Sequence, residues 1–299
     1  MVSPEWGGSG LDAVSYVIAM EEISKVDASV GVVMSVNNSL VCWAIESFGN
    51  DEQKEKFLRP LATGEKLGAF CLSEPEAGSD ATQQHTSAAL ENGNWVINGT
   101  KNWITNGTTA DIYLVMAQTD REKKHKGITC FIVERDRAGF EPGLKEDKLG
   151  IRSSDTCSIG LTNVTVPPEN ILGEAGRGFN IAMEVLNGGR IGIAAQALGI
   201  AQGAFERALE YSTQRKAFGK PIADLQAIQF KLAEMSVKIE ASRLLILRAA
   251  TMKDNHVRFV KEAAQAKLMA SKTAVEVTLE AIQVHGGYGY VREYHVERM

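Results

Sequence analysis

Four short stretches hold residues whose types and spacing suit the grip of a flat or phosphate-bearing ligand. Ser73 stands in CLSEPEAGSD, Cys71 to Asp80, where its hydroxyl lies beside backbone amides and Ala77-Gly78-Ser79 reads as a small, tight turn. Such a turn lets backbone approach a conjugated ring or a phosphate, because little side chain stands in the way. Trp103 and Thr105, within KNWITNG from Lys101 to Gly107, set an amphipathic ring close to a hydroxyl, which suits stacking on a conjugated ring and tuning its electronics. Arg215, Phe218 and Gly219 end one long helical pattern, and Gln283, Gly286 and Gly287 end another. Each stretch also has a plainer reading. The first is a strand-turn-strand corner, Trp103 is a core residue, Arg215 is a solvated cation favoured by a helix C-terminus, and the glycine pair is a helix end. Taken singly, the stretches leave both readings open.

Other chemistries are disfavoured. Cys42, Cys71, Cys130 and Cys157 lie far apart with no CxxC pair, and the five histidines form no HxxxH or Cys/His cluster, which argues against structural zinc. Isolated cysteines with no secretory leader read as buried, reduced thiols of a reducing compartment, either bacterial cytoplasm or, in a eukaryote, the mitochondrial matrix. The formal charge of -5 with scattered basic residues shows no footprint for nucleic acid. No apolar run is read as approaching the roughly 20 residues that span a bilayer, so no membrane partner is expected. The ends, Met1-Val2-Ser3-Pro4 and Val296-Glu297-Arg298-Met299, do not look like natural domain edges, and the chain is expected to be cut at both.

The elements that must position these residues fall into three regions. Residues 1–64 read as a remnant of an N-terminal helical domain, with apolar positions at helical spacing from Leu11 to Asp27, an apolar segment from Val30 to Phe48, and an Asn50/Gln53 capping box ahead of a short helix ended by Pro60 and Gly64. Residues 65–172 read as a β domain. Trp95-Val96-Ile97, Ile112 to Met116 and Thr129 to Val133 are short β-branched and aromatic runs, with turn signals at Asn92-Gly93, Asn98-Gly99 and Asn106-Gly107. The absence of strand–helix alternation favours an antiparallel barrel or sandwich over a parallel Rossmann sheet. Residues 173–299 read as an incomplete helical bundle of three long helices. The first, from Arg190 to Phe218, is rich in Ala and Gly that permit close helix approach, and the second carries an apolar stripe of Ile228, Leu232, Met235, Ile239 and Ile246. The fold class is therefore α+β.

That order of helices, β domain and helices, together with CLSEPEAGSD and QVHGGYGYVREYHVER (Gln283 to Arg298), resembles the acyl-CoA dehydrogenase family. The resemblance runs along essentially the whole chain, through Trp6-Gly7-Gly8, KNWITNG and QRKAFGKPI (Gln214 to Ile222). It is nearest the short-chain, butyryl-CoA type around Glu146 to Arg152 and Gly189 to Ala194. It implies FAD as cofactor. By resemblance, Phe70, Leu72 and Ser73 lie along the isoalloxazine, Ser79 faces the pyrophosphate or the CoA thread, Trp103 flanks the flavin, and Thr105 bonds near its redox-active nitrogen. Arg215 and Phe218 reach the pyrophosphate of a neighbouring subunit's cofactor, Gln226 meets the adenosine side, and Gln283, Gly286 and Gly287 do similar work. Cofactor sharing implies a homo-oligomer, a dimer of dimers. Arg190, read as opening the first long helix where a cation opposes the dipole, resembles the arginine that orients the active-site helix and the CoA-bearing substrate. Asn187 falls where relatives carry Asp.

The implied reaction is α,β-dehydrogenation of a short- to medium-chain acyl-CoA to the 2-enoyl-CoA, a step of fatty acid β-oxidation, with electrons passed to electron-transfer flavoprotein. An oxygen-using acyl-CoA oxidase relative and a catalytically silent FAD-binding fragment are the alternatives. Removing the α-proton needs a carboxylate in a dry pocket and hydrogen bonds to the thioester oxygen. The family places that Glu at one of two positions. One matches Gly189, which has no side chain, and the other is expected beyond Met299, so no catalytic residue is assigned; Glu293 and Glu297 are poor substitutes.

Overall fold

The computed structural model describes residues 1–299. It resolves into two compact units, one of residues 1–11 and 33–189, the other of 12–32 and 190–299. The fold class is α+β, as the sequence implies, with a sheet that is mixed rather than antiparallel.

In the first unit the sheet is built on β4 (Ile112–Gln118), in which every residue is buried. β1 (Gly68–Cys71) runs parallel to β4, and β5 (Ile128–Glu134) runs antiparallel along its other edge. β2 (Ser87–Glu91) meets β4 at one parallel position, then forms a hairpin with β3 (Asn94–Thr105). β3 pairs antiparallel with β7 (Thr156–Val166), and β6 (Phe140–Pro142) pairs with β7. Alternation along β4 divides two cores. Ile112, Leu114 and Met116 join the core shared with the helices, and Tyr113, Val115 and Ala117 join the other. A strand covered on both faces reads as a continuous apolar run, and parallel pairing becomes affordable there.

The turn signals divide. Asn92-Gly93 closes the β2–β3 hairpin with both residues at positive φ, and Asn106, at φ 64°, turns the chain after β3. Asn98-Gly99 is not a turn. It sits within β3, where the register with β7 shifts: the step from Ile97 to Gly99 faces the longer step from Val164 to Leu161, so the extra residue lies on β7 at Thr162-Asn163, with Asn163 at φ 52°. The tight turn of the first signature lies at Pro75-Glu76, bracketed by a Glu74–Ala77 bridge, with Gly78 and Ser79 in the bend beyond it.

Helix α1 (Ala13–Val26) is capped by Asp12. Helix α2 (Ala28–Phe48) corrects the reading that no apolar run is long enough to span a bilayer: by length and composition alone it is long enough, because the helix takes in two more residues ahead of the Val30 to Phe48 segment. Half of it is buried in the protein, and Val36, Val41, Ala44 and Ile45 belong to the first unit's core. Its middle, Val36–Cys42, widens to a π-helix. There Asn37 accepts from the Gly68 N–H at 2.9 Å and donates to the Leu61 carbonyl, joining α2 to β1. Helix α3 (residues 51–62) starts at the anticipated Asn50/Gln53 capping box, but Pro60 does not end it. A second π-segment, Lys54–Leu58, precedes Pro60, which falls early in the last helical stretch, and Gly64 follows in the left-handed region.

Helix α4 (Gly178–Gln214) starts twelve residues before Arg190, so Arg190 lies about a third of the way along a 37-residue helix. The helix-start argument for that arginine therefore fails, since the dipole acts mainly within the end turns. In the second unit the small residues of α4 act as anticipated. A Cβ on Gly199 would stand 2.4 Å from the Glu21 carbonyl oxygen, and one on Gly203 would stand 2.6 Å from that of Lys25, so α1 crosses α4 at backbone contact. Asp254, at the end of α5 (Gln226–Asp254), accepts from the N–H groups of Ala13 and Val14, placing an anion at the α1 N-terminus. α6 (Val260–His285) lies against α5, with Ser242 donating to Thr273 at 3.1 Å in the seam.

Candidate functional site

In the first unit, β1 carries Phe70, buried, and the chain leaves the sheet at Leu72 and Ser73, both half-buried. Ser79 and Gly78 are exposed on the following loop, and a Cβ on Gly78 would meet nothing within 4 Å. Trp103 lies on β3 beside these residues in the hydrogen-bond pattern, since the Asn102 N–H donates to the Ser73 carbonyl at 2.9 Å.

How Trp103 faces outward is a matter of register. Strict alternation from the buried Lys101 would turn Trp103 inward and Ile104 outward. A second irregularity, between Lys101 and Ile104, inserts a residue with Trp103 at φ 61°, so Ile104 is buried and the indole is 63% exposed. Bulges re-aim side chains in this way, and an aromatic residue in the left-handed region carries strain of order 1–3 kcal/mol. Neither the core reading of Trp103 nor an ordinary strand position describes it.

Beyond Thr105, half-buried and paired with Thr156, the chain is clamped. The Asp155 carboxylate accepts from Thr108 N–H at 2.7 Å, Thr109 N–H at 3.0 Å and the Thr109 hydroxyl at 3.1 Å. The Tyr113 hydroxyl lies 2.9 Å from the Gly107 and Ala110 carbonyl oxygens, and Asn106 donates to the Gly68 carbonyl. Burial raises the Tyr113 hydroxyl well above its ordinary pKa, so it remains a donor. The same unit holds Asn187 and Gly189 on α4. A Cβ on Gly189 would meet Leu40 Cδ2, from the π-helical part of α2, at 2.8 Å.

Two residues that the sequence reading did not nominate support this surface. Lys101 is fully buried and donates from Nζ to Glu74 Oε1 at 2.7 Å, Gln84 Oε1 at 3.0 Å and the Leu72 carbonyl at 3.2 Å. Glu74 also accepts from the N–H groups of His85 at 2.6 Å and Thr86 at 3.1 Å. Burial alone would raise the Glu74 pKa; the Lys101 ammonium and the backbone donors outweigh it and hold the carboxyl below its ordinary value. Burial pulls Lys101 down, against the attraction of Glu74. The signal was a lysine at an inward position of a strand, but its partner lies 27 residues away and only the fold reveals it.

In the second unit α4 ends at Gln214, short of the expected Phe218, and Arg215 opens a two-stranded ribbon, β8 (Lys216–Ala217) and β9 (Lys220–Pro221). Its two-residue turn is Phe218-Gly219, at φ 54° and 78°, the pattern of a turn with both central residues left-handed. Glycine suits that conformation and phenylalanine does not, yet Phe218 is 91% exposed, so packing within the chain does not explain it. The Arg215 guanidinium stands 5.4 Å over the Tyr288 ring. Tyr288 leans on Tyr294, which meets Tyr211 and His285 edge-on, and those two stack at 4.3 Å. Gln283 is exposed in the last turn of α6, which Gly286 ends at φ 58° and ψ -134°, and neither Gly286 nor Gly287 has an atom within 4 Å of a built Cβ. Gln226 is exposed as the first residue of α5, and Arg190 is half-buried on α4.

All four cysteines are buried and free, and burial pushes the Cys42 and Cys71 thiols up to about 12, which disfavours thiolate chemistry. The second unit also has a cavity of about 400 Å³ between α1, α4 and α5, crossed by Arg243–Glu21 and Lys25–Glu206 ion pairs. It contains none of the sequence-predicted site residues.

The chain belongs to the acyl-CoA dehydrogenase family, whose members are oxidoreductases: the models of the N-terminal, middle and C-terminal domains match residues 1–65, 69–164 and 176–299. It is 52% identical over 297 residues to human mitochondrial short-chain specific acyl-CoA dehydrogenase, a match covering 99% of this chain and 72% of the relative. A chain from a structural study of the electron transferring flavoprotein of Acidaminococcus fermentans superposes with a TM-score of 0.98 at 49% identity, covering 99% of this chain and 78% of that one. A glutaryl-CoA dehydrogenase from Mycobacterium smegmatis in complex with FADH2 gives a TM-score of 0.92 at 35% identity, covering 98% and 74%.

If Trp103 is held outward for a ligand and not for folding, Trp103→Gly removes its left-handed strain and adds unfolded-chain entropy in nearly compensating amounts. Urea unfolding of the cofactor-free protein should change by no more than about 1 kcal/mol. A loss well beyond about 2 kcal/mol would return Trp103 to a packing role.

Proposed function

We propose that this chain binds FAD and catalyses α,β-dehydrogenation of a short-chain acyl-CoA, with electrons passed to electron-transfer flavoprotein. The observation that carries the reading is the pair of aromatic side chains, Trp103 and Phe218, each exposed and each held at positive φ. Strain with no packing return inside the chain points to a ligand or a partner. The residues fit the cofactor. Trp103 offers a ring face, Ser73 and Thr105 offer hydroxyls, Gly78, Gly286 and Gly287 leave open backbone, and Arg215 offers a guanidinium already oriented on Tyr288.

When bound, FAD supplies the acceptor for the hydride leaving the substrate's β-carbon. The chain's own residues orient and enclose. Phe70, Leu72 and Ser73 lie along the ring by family resemblance; Ser79, Asn187 and Arg190 are assigned to the CoA-bearing substrate; Gln226 and Gln283 are assigned to the nucleotide. No carboxylate is assigned the α-proton step. Gly189 has no side chain, and a Cβ there would meet only the terminal methyl of Leu40. We also propose a short-chain preference and a bacterial cytoplasmic or mitochondrial matrix location, supported by relatives named short-chain specific and, in the human case, mitochondrial, and by the four buried, free cysteines.

We also infer a homo-oligomer, a dimer of dimers, whose subunits share the cofactor through Phe218. Supporting it, α5 exposes Phe230, Val237 and Leu244 at seven-residue spacing, and α6 exposes Leu268, Val275 and Leu279. Sedimentation at micromolar concentration should give a tetramer; a monomer with bound FAD would remove the sharing of the cofactor.

The test of the reaction is anaerobic titration of the FAD-loaded protein with butyryl-CoA. Bleaching of the flavin band, with reoxidation faster by electron-transfer flavoprotein than by air, is the expected result. Faster reoxidation by air would make the protein an oxidase. Bound FAD with no bleaching by any acyl-CoA would leave a cofactor-binding chain without turnover.

A further inference from the structure

The Glu74–Lys101 pair lies where the two flavin-facing stretches of the first unit meet, and it makes more contacts than an ion pair needs. Its side chains are 3% and 0% exposed. The ammonium has three protons and spends one each on Leu72, Glu74 and Gln84, three points of the loop that leaves β1. Glu74 in turn holds the N–H groups of His85 and Thr86, where that loop re-enters the sheet at β2. Start and end of the loop are thus tied to one group, while Gly78, Ser79 and Asp80 between them are exposed. Two residues after Lys101 the same strand presents Trp103, and the intervening Asn102 N–H bonds the Ser73 carbonyl.

Burying two charges is a poor way to gain stability, because desolvation offsets the attraction, and an apolar pair of similar volume often does as well. An apolar pair cannot fix three carbonyl-type oxygens at set positions. We propose that the Glu74–Lys101 pair is a positioning device, with Lys101 as its central residue, that sets the 72–86 loop against Trp103 in the geometry that receives FAD. The proposal rests on the FAD reading above.

The test separates positioning from stability by comparing Lys101→Met, which strands the Glu74 charge, with the neutral double variant Glu74→Gln/Lys101→Met. Dissociation constants for FAD are measured on the cofactor-free full chain by fluorescence quenching, beside urea midpoints of the same samples. Lys101→Met should lose both stability and FAD affinity. The double variant should regain most of the midpoint while its FAD affinity stays at least about tenfold weaker than wild type, with an altered shape of the bound flavin band. A double variant that binds FAD within about twofold of wild type, with the wild-type band shape, overturns the proposal alone. A wild-type chain that binds no FAD overturns the FAD reading and the proposal with it.

Discussion

A lysine with no exposed surface can keep its charge only where every proton finds an acceptor, and Lys101 meets that condition through Leu72, Glu74 and Gln84. Much of the candidate site depends on this constraint. It sets the inward face of β3 at residue 101, ties both ends of the signature loop, and leaves the next residues to change register, which turns Trp103 out. Removing one partner would leave an uncompensated buried charge, a cost of roughly 3–5 kcal/mol, whereas neutralising both is often nearly neutral. The interaction is therefore better understood as specifying a geometry than as adding stability.

A second constraint is backbone strain. Trp103 and Phe218 are large side chains in a conformation that favours glycine, and both stand in solvent. Their supports differ. Trp103 is held by a bulge between a buried lysine and a buried isoleucine, with the Asp155 and Tyr113 clamp just beyond. Phe218 is held by a two-residue hairpin whose leading Arg215 rests on an aromatic cluster. Buried structure over-determines the strained residue at Trp103, the condition under which strain persists, whereas the ribbon that carries Phe218 is itself largely exposed.

The elements were legible where a local signal exists. The apolar runs of β3, β4 and β5, the Asn50 capping box and the Asn92-Gly93 hairpin are legible directly, whereas α4 ends at Gln214, short of the expected Phe218. Errors arose where tertiary contact decides. Asn98-Gly99 has the composition of a turn but stays within β3, opposite a bulge of β7 at Thr162-Asn163, because β7 continues past it. Arg190 is expected to open its helix, yet the helix already runs through Asn187-Gly188-Gly189 before it. Pro60 is accommodated near the start of a helical stretch after a π-segment, where its missing N–H costs little. The parallel pairing of β1 with β4, across some forty residues, has no local signature. Site residues were nominated through family resemblance, and the pair that braces them, Glu74 and Lys101, was not, since a charged residue in a strand ordinarily reads as solvated.

On the proposal that Glu74 and Lys101 position it, the loop from residue 72 to 86 is shaped for its ligand before the ligand arrives. Amide hydrogen exchange on the cofactor-free protein tests it most directly. The His85 and Thr86 N–H groups, donors to Glu74, should exchange slowly without FAD, at rates near those of β4, and FAD should add little. Rapid exchange at these amides that slows only when FAD is added would contradict the account.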